Sequence, residues 1–256
     1  MPTLLRIKTY LLVATLFAVI LAARINSQSP ESTSAAQAPL PTAKEIVDRY
    51  QAAIGGVSAW MALATTTATY ERQVDNDPTI STMKLYAKAP DKRLDVLTLP
   101  DGSERRYGCD GKSIWTVDAR GFREHTGGEL IVSLRHCDFY ARLHLIKSPD
   151  KAKVSGIEAV AGRNAYVVEY SPDEYSKGRY YFDCENGLLV RQDETESLPE
   201  GQLVQQDFPE DYRTVDGVKI QFRNRDILNG HTLLLRLTQI NHNVPVDDAL
   251  FVKPAK

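Results

Sequence analysis

The chain has little of what usually carries chemistry: 3 Cys and 5 His are scattered over 256 residues. Cys109, Cys137 and Cys184 show neither CxxC nor Cys/His zinc spacing, and three sulfurs are too few for a disulfide scaffold. With only 15 Gly and 13 Pro there is no collagen repeat, and the composition is not that of a disordered chain. Neither sign of charge dominates. The balance of 31 Lys+Arg against 33 Asp+Glu leaves −2, so no broad electrostatic term favours nucleic acid. Arg105-Arg106-Tyr107 and Phe222 with Arg223 and Arg225 are local basic-aromatic mixtures of the kind found on solvated strand faces. What is present, 43% hydrophobic and 25% charged residues, is ordinary globular material.

The apolar residues are concentrated first at the N-terminus. Arg6 and Lys8 precede Tyr10 to Ala23, an uncharged apolar run of 14 residues. A bilayer span takes about 20 residues, so this run fits the central region of a secretory signal better than a membrane helix. Ala22 and Ala23 offer small residues for cleavage, although Leu21 stands where a second small one is usual. Residues 1–23 are therefore expected to be an export signal, with an uncleaved membrane tether as the alternative. Losing Arg6 and Lys8 with this segment changes the net charge from −2 to −4. Residues 24–41 include the Ser/Ala/Gln/Pro stretch Asn26 to Pro41 and read as a flexible linker. The expected setting is exported, periplasmic space. There the three cysteines admit two readings, one disulfide with a free thiol, or three small buried residues.

Folded structure is expected over residues 42–256 as one domain. Thr42 and Glu45 have the spacing of a capping box, followed by Ile46, Tyr50, Ala53 and Ile54 on one helical face and the terminator Gly55-Gly56. A short helix over 57–64 carries Trp60 and Met61. From Thr65 the hydrophobic period changes to two. Asp101-Gly102, Asp110-Gly111, Asn186-Gly187, Asp216-Gly217 and Asn229-Gly230 are tight-turn dipeptides flanked by strand-like sequence. Glu129 to Ile146 interrupts the strands with helical periodicity. The expected fold is α+β, mostly β: a strongly curved antiparallel sheet of about ten or eleven strands, an unclosed barrel with helices capping its concave face.

Catalytic motifs fail when tested individually. Gly111-Lys112-Ser113 resembles the end of a P-loop, but Arg106 occupies the position of the required first glycine. No nucleophile elbow or His-Glu-x-x-His helix is present. His136-Cys137-Asp138 is the densest cluster, yet adjacent helical residues point about 100° apart. On one continuous helix, His136 and His144 would lie about 12 Å apart, too far to share a metal. No cofactor or metal is expected; a hydrolase using His136 or Cys137 is a weak reading, and nucleic-acid binding is weaker still.

A bent sheet with helical lids is instead suited to an apolar ligand. Alternation nominates Met83, Leu85 and Ala87; Tyr166, Val168 and Tyr170; Val218, Ile220 and Phe222; and Leu233, Leu235 and Leu237 as lining residues. The competing reading is that these side chains simply form a packed core.

Three phrases carry a family likeness: Phe182-Asp183…Gly187-Leu188, Asp211-Tyr212-Arg213…Asp216-Gly217-Val218, and Asn243-Val244-Pro245-Val246-Asp247-Asp248…Leu250-Phe251. With the strand layout, they resemble the LolA-like outer-membrane lipoprotein-sorting proteins, a group of bacterial periplasmic carriers. The resemblance implies an unclosed barrel with a helical lid that holds acyl chains of a lipoprotein or free lipid without catalysis. It implies inner- or outer-membrane transport proteins as further partners and no nucleic acid. Arg72 is the position offered for the arginine that locks the lid in such carriers. Gln221 departs from the family pattern, which has proline there, and suggests a locally different edge. An envelope sensor on the same scaffold is the alternative function.

Overall fold

The computed structural model describes residues 39–198 and 201–254. The expected export signal, and the expected linker up to residue 38, lie outside these residues. The first helix, α1 (Ala43–Ala53), begins with the anticipated capping box. The Glu45 amide donates to Thr42 Oγ1 at 3.2 Å, while the Thr42 amide donates to Glu45 Oε2 at 2.7 Å. Its buried face is Ala43, Ile46, Val47 and Tyr50. Gly55, at φ 111°, then lets the chain pass very close to the turn at Gly217; a Cβ there would lie 2.4 Å from the Gly217 carbonyl oxygen. The Lys219 amide donates to the Ile54 carbonyl at 2.8 Å and fixes this junction. A second helix, α2 (Val57–Met61), buries Trp60 beside it.

Among the described residues, all strands belong to one antiparallel sheet of thirteen strands, more than the ten or eleven expected. The first six are β1 (Thr65–Val74), β2 (Ser81–Lys88), β3 (Lys92–Thr98), β4 (Glu104–Asp110), β5 (Ile114–Asp118) and β6 (Gly121–Glu124). After a third helix, α3 (Gly127–Cys137), come β7 (Lys153–Val160), β8 (Arg163–Asp173), β9 (Ser176–Asp183) and β10 (Leu189–Leu198). The last are β11 (Gly201–Val215), β12 (Val218–Leu228) and β13 (His231–His242). Strands consecutive in sequence pair with each other except β6 and β7. β1 pairs with β13 and joins the two meanders, whereas β6 and β7 form the free edges. The barrel is therefore unclosed, and its seam lies between β6 and β7. The five Asp-Gly and Asn-Gly dipeptides all fall at hairpins, and Asp216-Gly217 and Asn229-Gly230 have positive φ at both residues, as tight hairpins require.

The chain between β6 and β7 must travel from one free edge to the other. It does so as α3 and an irregular segment over residues 138–152, which lie across the concave face. The expected continuous helix to Ile146 breaks at Asp138, whose ψ of 113° is not helical. The Asp138 side chain instead accepts from the Tyr140 amide at 2.9 Å and meets His144 Nδ1 at 2.6 Å. His136 and His144 are consequently not on one helix.

The main core packs α1, α2 and this crossing segment against the inner sheet face. It contains Ile46, Tyr50, Trp60, Leu143, Val168, Phe182 and Val218. A smaller cluster on the opposite face contains Leu94, Trp115 and Phe251. Asp247 caps the last short turn, accepting from the Ala249 amide at 2.9 Å, and so places Phe251 in that outer cluster.

Candidate functional site

A cavity of about 500 Å³ remains between the inner sheet face and the crossing segment. That volume falls within the range of small-molecule sites. One wall is apolar: Tyr50 from α1, Trp60 from α2, Leu85 and Ala87 from β2, Tyr170 from β8 and Ile220 from β12. Phe139 and Leu145 cover it from the crossing segment. The opposite wall is polar. Gln192 and Glu194 on β10, Gln205 and Asp207 on β11, and Asn224 and Asp226 on β12 all reach it. They form lateral rows because Gln192 pairs with Asp207, and Asp207 with Asp226. The uniform apolar lining suggested by strand alternation thus covers only part of the cavity.

The nominated residues divide among several environments. Leu85, Tyr170 and Ile220 line the large cavity. Met83, Leu85, Phe222, Leu235 and Leu237 line a smaller one of about 140 Å³ between β1–β3 and β12–β13. Val168 is fully buried in the main core, which leaves no free space around it. Tyr166 borders a groove beside Arg49 of α1, because it lies under the helix rather than under the crossing segment. Leu233 pairs with Asp226 near the last hairpin and borders neither cavity. Gln221 occupies the part of β12 before its ladder with β13 begins at Arg223, and its side-chain oxygen is buried without a hydrogen-bond partner.

Arg135 and Glu196 were not identifiable from sequence spacing. Arg135, on α3, forms an ion pair with Asp173, hydrogen-bonds Ser176, and lies 3.5 Å from Glu196. It thereby clasps the crossing segment to β8, β9 and β10. Arg93 performs the complementary task from β3, donating to Asp95 at 2.9 Å and to the His136 carbonyl at 3.2 Å. A cation at the carboxyl end of α3 is also favoured by the helix dipole. Burial opposes the Arg93 charge, but Asp95 more than compensates and raises its pKa. Arg72, the position offered for a lid lock, is half-buried on β1, and burial followed by the nearby Arg105 charge lowers its pKa.

The His136–Cys137 pair is not arranged as base and nucleophile. His136 Nε2 lies 3.4 Å from Glu196, whereas the buried Cys137 thiol donates to the Ser133 carbonyl at 3.5 Å. A hydrogen bond with Cys109, followed by burial, pushes the Cys137 pKa up, the opposite of nucleophile activation.

Asp207 and Asp226 are the most perturbed carboxyls of the cavity. Burial pushes Asp207 up; burial and then the Asp207 charge push Asp226 up to about 8. Gln205 donates to Asp207 at 2.7 Å, and Asn224 donates to Asp226. His136 favours the Asp207 charge while Asp193 opposes it, and Arg225 favours that of Asp226. One proton shared by the pair is the consequence at neutral pH. A carboxyl with a raised folded-state pKa contributes stability that is complete below its unfolded pKa and lost as pH rises through the folded value. Asp226→Asn mimics the protonated form. Its stability relative to the parent protein should therefore increase from about pH 4 to about pH 8 and then level off. Urea unfolding across this range measures the difference; a constant difference would exclude the shared proton.

No protein-family model matches this chain, and no curated protein does. Solved structures do. A LolA superfamily protein from Nitrosomonas europaea aligns with a TM-score of 0.56 at 13% identity, over 84% of this chain and 99% of that one. The chain has the LolA-like fold. A DUF1329 family protein from Desulfovibrio piger aligns with a TM-score of 0.56 at 15% identity, covering 83% and 98% of the two chains. An outer membrane lipoprotein-sorting protein domain from Vibrio parahaemolyticus gives 0.54 at 13% identity, covering 82% and 97%. In this chain the LolA-like sheet keeps its seam under α3, and its concave face holds the two-sided cavity.

Proposed function

We propose that this chain is an exported, non-enzymatic carrier that takes acyl chains of a lipoprotein or free lipid into its concave cavity. The observation that carries this reading is the unfilled volume of about 500 Å³ beneath the crossing segment. Its apolar wall stabilises an acyl chain by about 0.8 kcal/mol per buried methylene before the costs of binding. Its polar wall suits the other end of the same amphiphile, with Gln205 and Asn224 as hydrogen-bonding groups and the Asp207–Asp226 pair between them. Membrane proteins of the inner or outer membrane are the partners that such a carrier requires for loading and release. Arg135 is placed to release the crossing segment when its ion pair with Asp173 opens.

Solvent extraction of the chain purified from membranes, followed by mass spectrometry, tests the reading. Co-purifying lipid or an acylated peptide is expected in near-stoichiometric amount. Repeated absence of both, together with no uptake of added acyl chains, would reject it.

A further inference from the structure

We propose that Cys109 and Cys137 form a disulfide that fastens the carboxyl end of α3 to β4. Both thiols are buried in one small cluster with Ile114, where Cys109 donates to the Asp91 carbonyl at 3.3 Å and Cys137 to the Ser133 carbonyl at 3.5 Å. The backbone provides an independent reason for their proximity. Cys109 pairs across the sheet with Arg93, whose guanidinium donates to the carbonyl of His136, the residue before Cys137. The carboxyl end of α3 is thus held directly over the strand that carries Cys109. Cys184 lies apart, just beyond β9, where its amide donates to the Asn164 carbonyl at 2.9 Å.

The two sulfurs are not equivalent. The Gly111 amide donates to Cys109 Sγ at 3.4 Å within the β4–β5 hairpin, a contact that favours the thiolate there and does not depend on α3 being docked. Cys109 is therefore the attacking thiolate and Cys137 the resolving thiol. Neither is reachable by a bulky oxidant in the folded chain, since their exposures are 0% and 2%. The bond forms before α3 docks, or when it lifts. The Cys109 thiolate attacks a small-molecule or protein disulfide and releases one thiolate, leaving a mixed disulfide. The Cys137 thiolate then attacks the Cys109 sulfur and releases the second. The chain loses two electrons and two protons, and the oxidant is reduced to two thiols. Cys137 is the last residue of α3, and the non-helical backbone at Asp138 allows the small approach that bonding requires.

Closure joins the crossing segment covalently to the β1–β6 half of the sheet, while Arg135 holds it to the other half. Refolding the reduced full chain in a glutathione redox buffer, followed by alkylation and peptide mapping, tests this. The expected product has lost two hydrogen atoms, contains a single Cys109–Cys137 link, and leaves Cys184 open to alkylation. Reduction should lower its Tm by about 5–10 °C, the order expected for a loop of this length in a domain of this size. Cys184→Ser should form the same link, while Cys109→Ser and Cys137→Ser should each abolish it. Three alkylated thiols after oxidative refolding, a link involving Cys184, or an unchanged Tm on reduction would overturn the assignment.

Discussion

Replacing Ala87 with tryptophan should weaken binding of a fluorescent acyl probe by roughly 10–100-fold, because the indole occupies space that would bury several methylenes at about 0.8 kcal/mol each. Ala87 faces the large cavity from β2, between its cross-strand neighbours Thr66 and Arg93. The added side chain enters existing space rather than displacing a packed neighbour, so the far-ultraviolet spectrum should be unchanged. Lys84→Trp provides the comparison on the same strand. Lys84 is exposed and lies on the opposite face, so that variant should bind the probe as the parent protein does. Equal affinity in both variants would place the acyl chain outside the cavity.

Phe182→Ala should cost about 3–5 kcal/mol of folding stability, the usual range for removing a fully buried aromatic side chain. Phe182 is 1% exposed, and its ring centroid lies 5.3 Å from that of Tyr50 on α1. It is flanked across the sheet by Tyr166 and Leu189. The substitution therefore removes the ring contact between α1 and β9. For a domain of this size, Tm should fall by about 8–15 °C. Urea unfolding measures the loss directly, and a cost below about 1 kcal/mol would mean that α1 is not anchored through this ring.

Much of the fold was legible because its signals are local. The capping box at Thr42, the glycines ending α1 and the five hairpin dipeptides each act within a few residues. Ten or eleven strands are expected where thirteen form, and the local signals are weakest at two of them. β6 is only four residues long. β11 reads as polar sequence because Gln205, Asp207 and Pro209 face the cavity rather than an apolar core. The helical period after Cys137 was misleading for a different reason. Asp138 uses its carboxylate to cap a turn and bind His144, an alternative to helix that periodicity does not register.

The candidate site was less legible than the sheet. Alternation correctly grouped residues on strand faces, but curvature decides which positions on a face are filled and which remain open. Val168 and Tyr170 show the difference: both are buried in the main core, but only Tyr170, two residues later, also borders the cavity. The Arg135–Asp173 clasp spans 38 residues of sequence and depends on the chain crossing the seam. The proximity of Cys109 and Cys137 has the same origin. No spacing rule connects a strand to a helix that reaches it from beyond the sheet edge.

The two tryptophans allow the central claim to be tested in one titration. Trp60 borders the cavity, whereas Trp115 packs with Leu94 and Phe251 on the other face of the sheet. In Trp115→Phe protein, titration with a fatty acid brominated along its acyl chain should quench Trp60 emission saturably, and the unbrominated acid should compete. Saturable quenching of Trp115 in Trp60→Phe protein, with none of Trp60, would contradict an acyl site in the concave cavity.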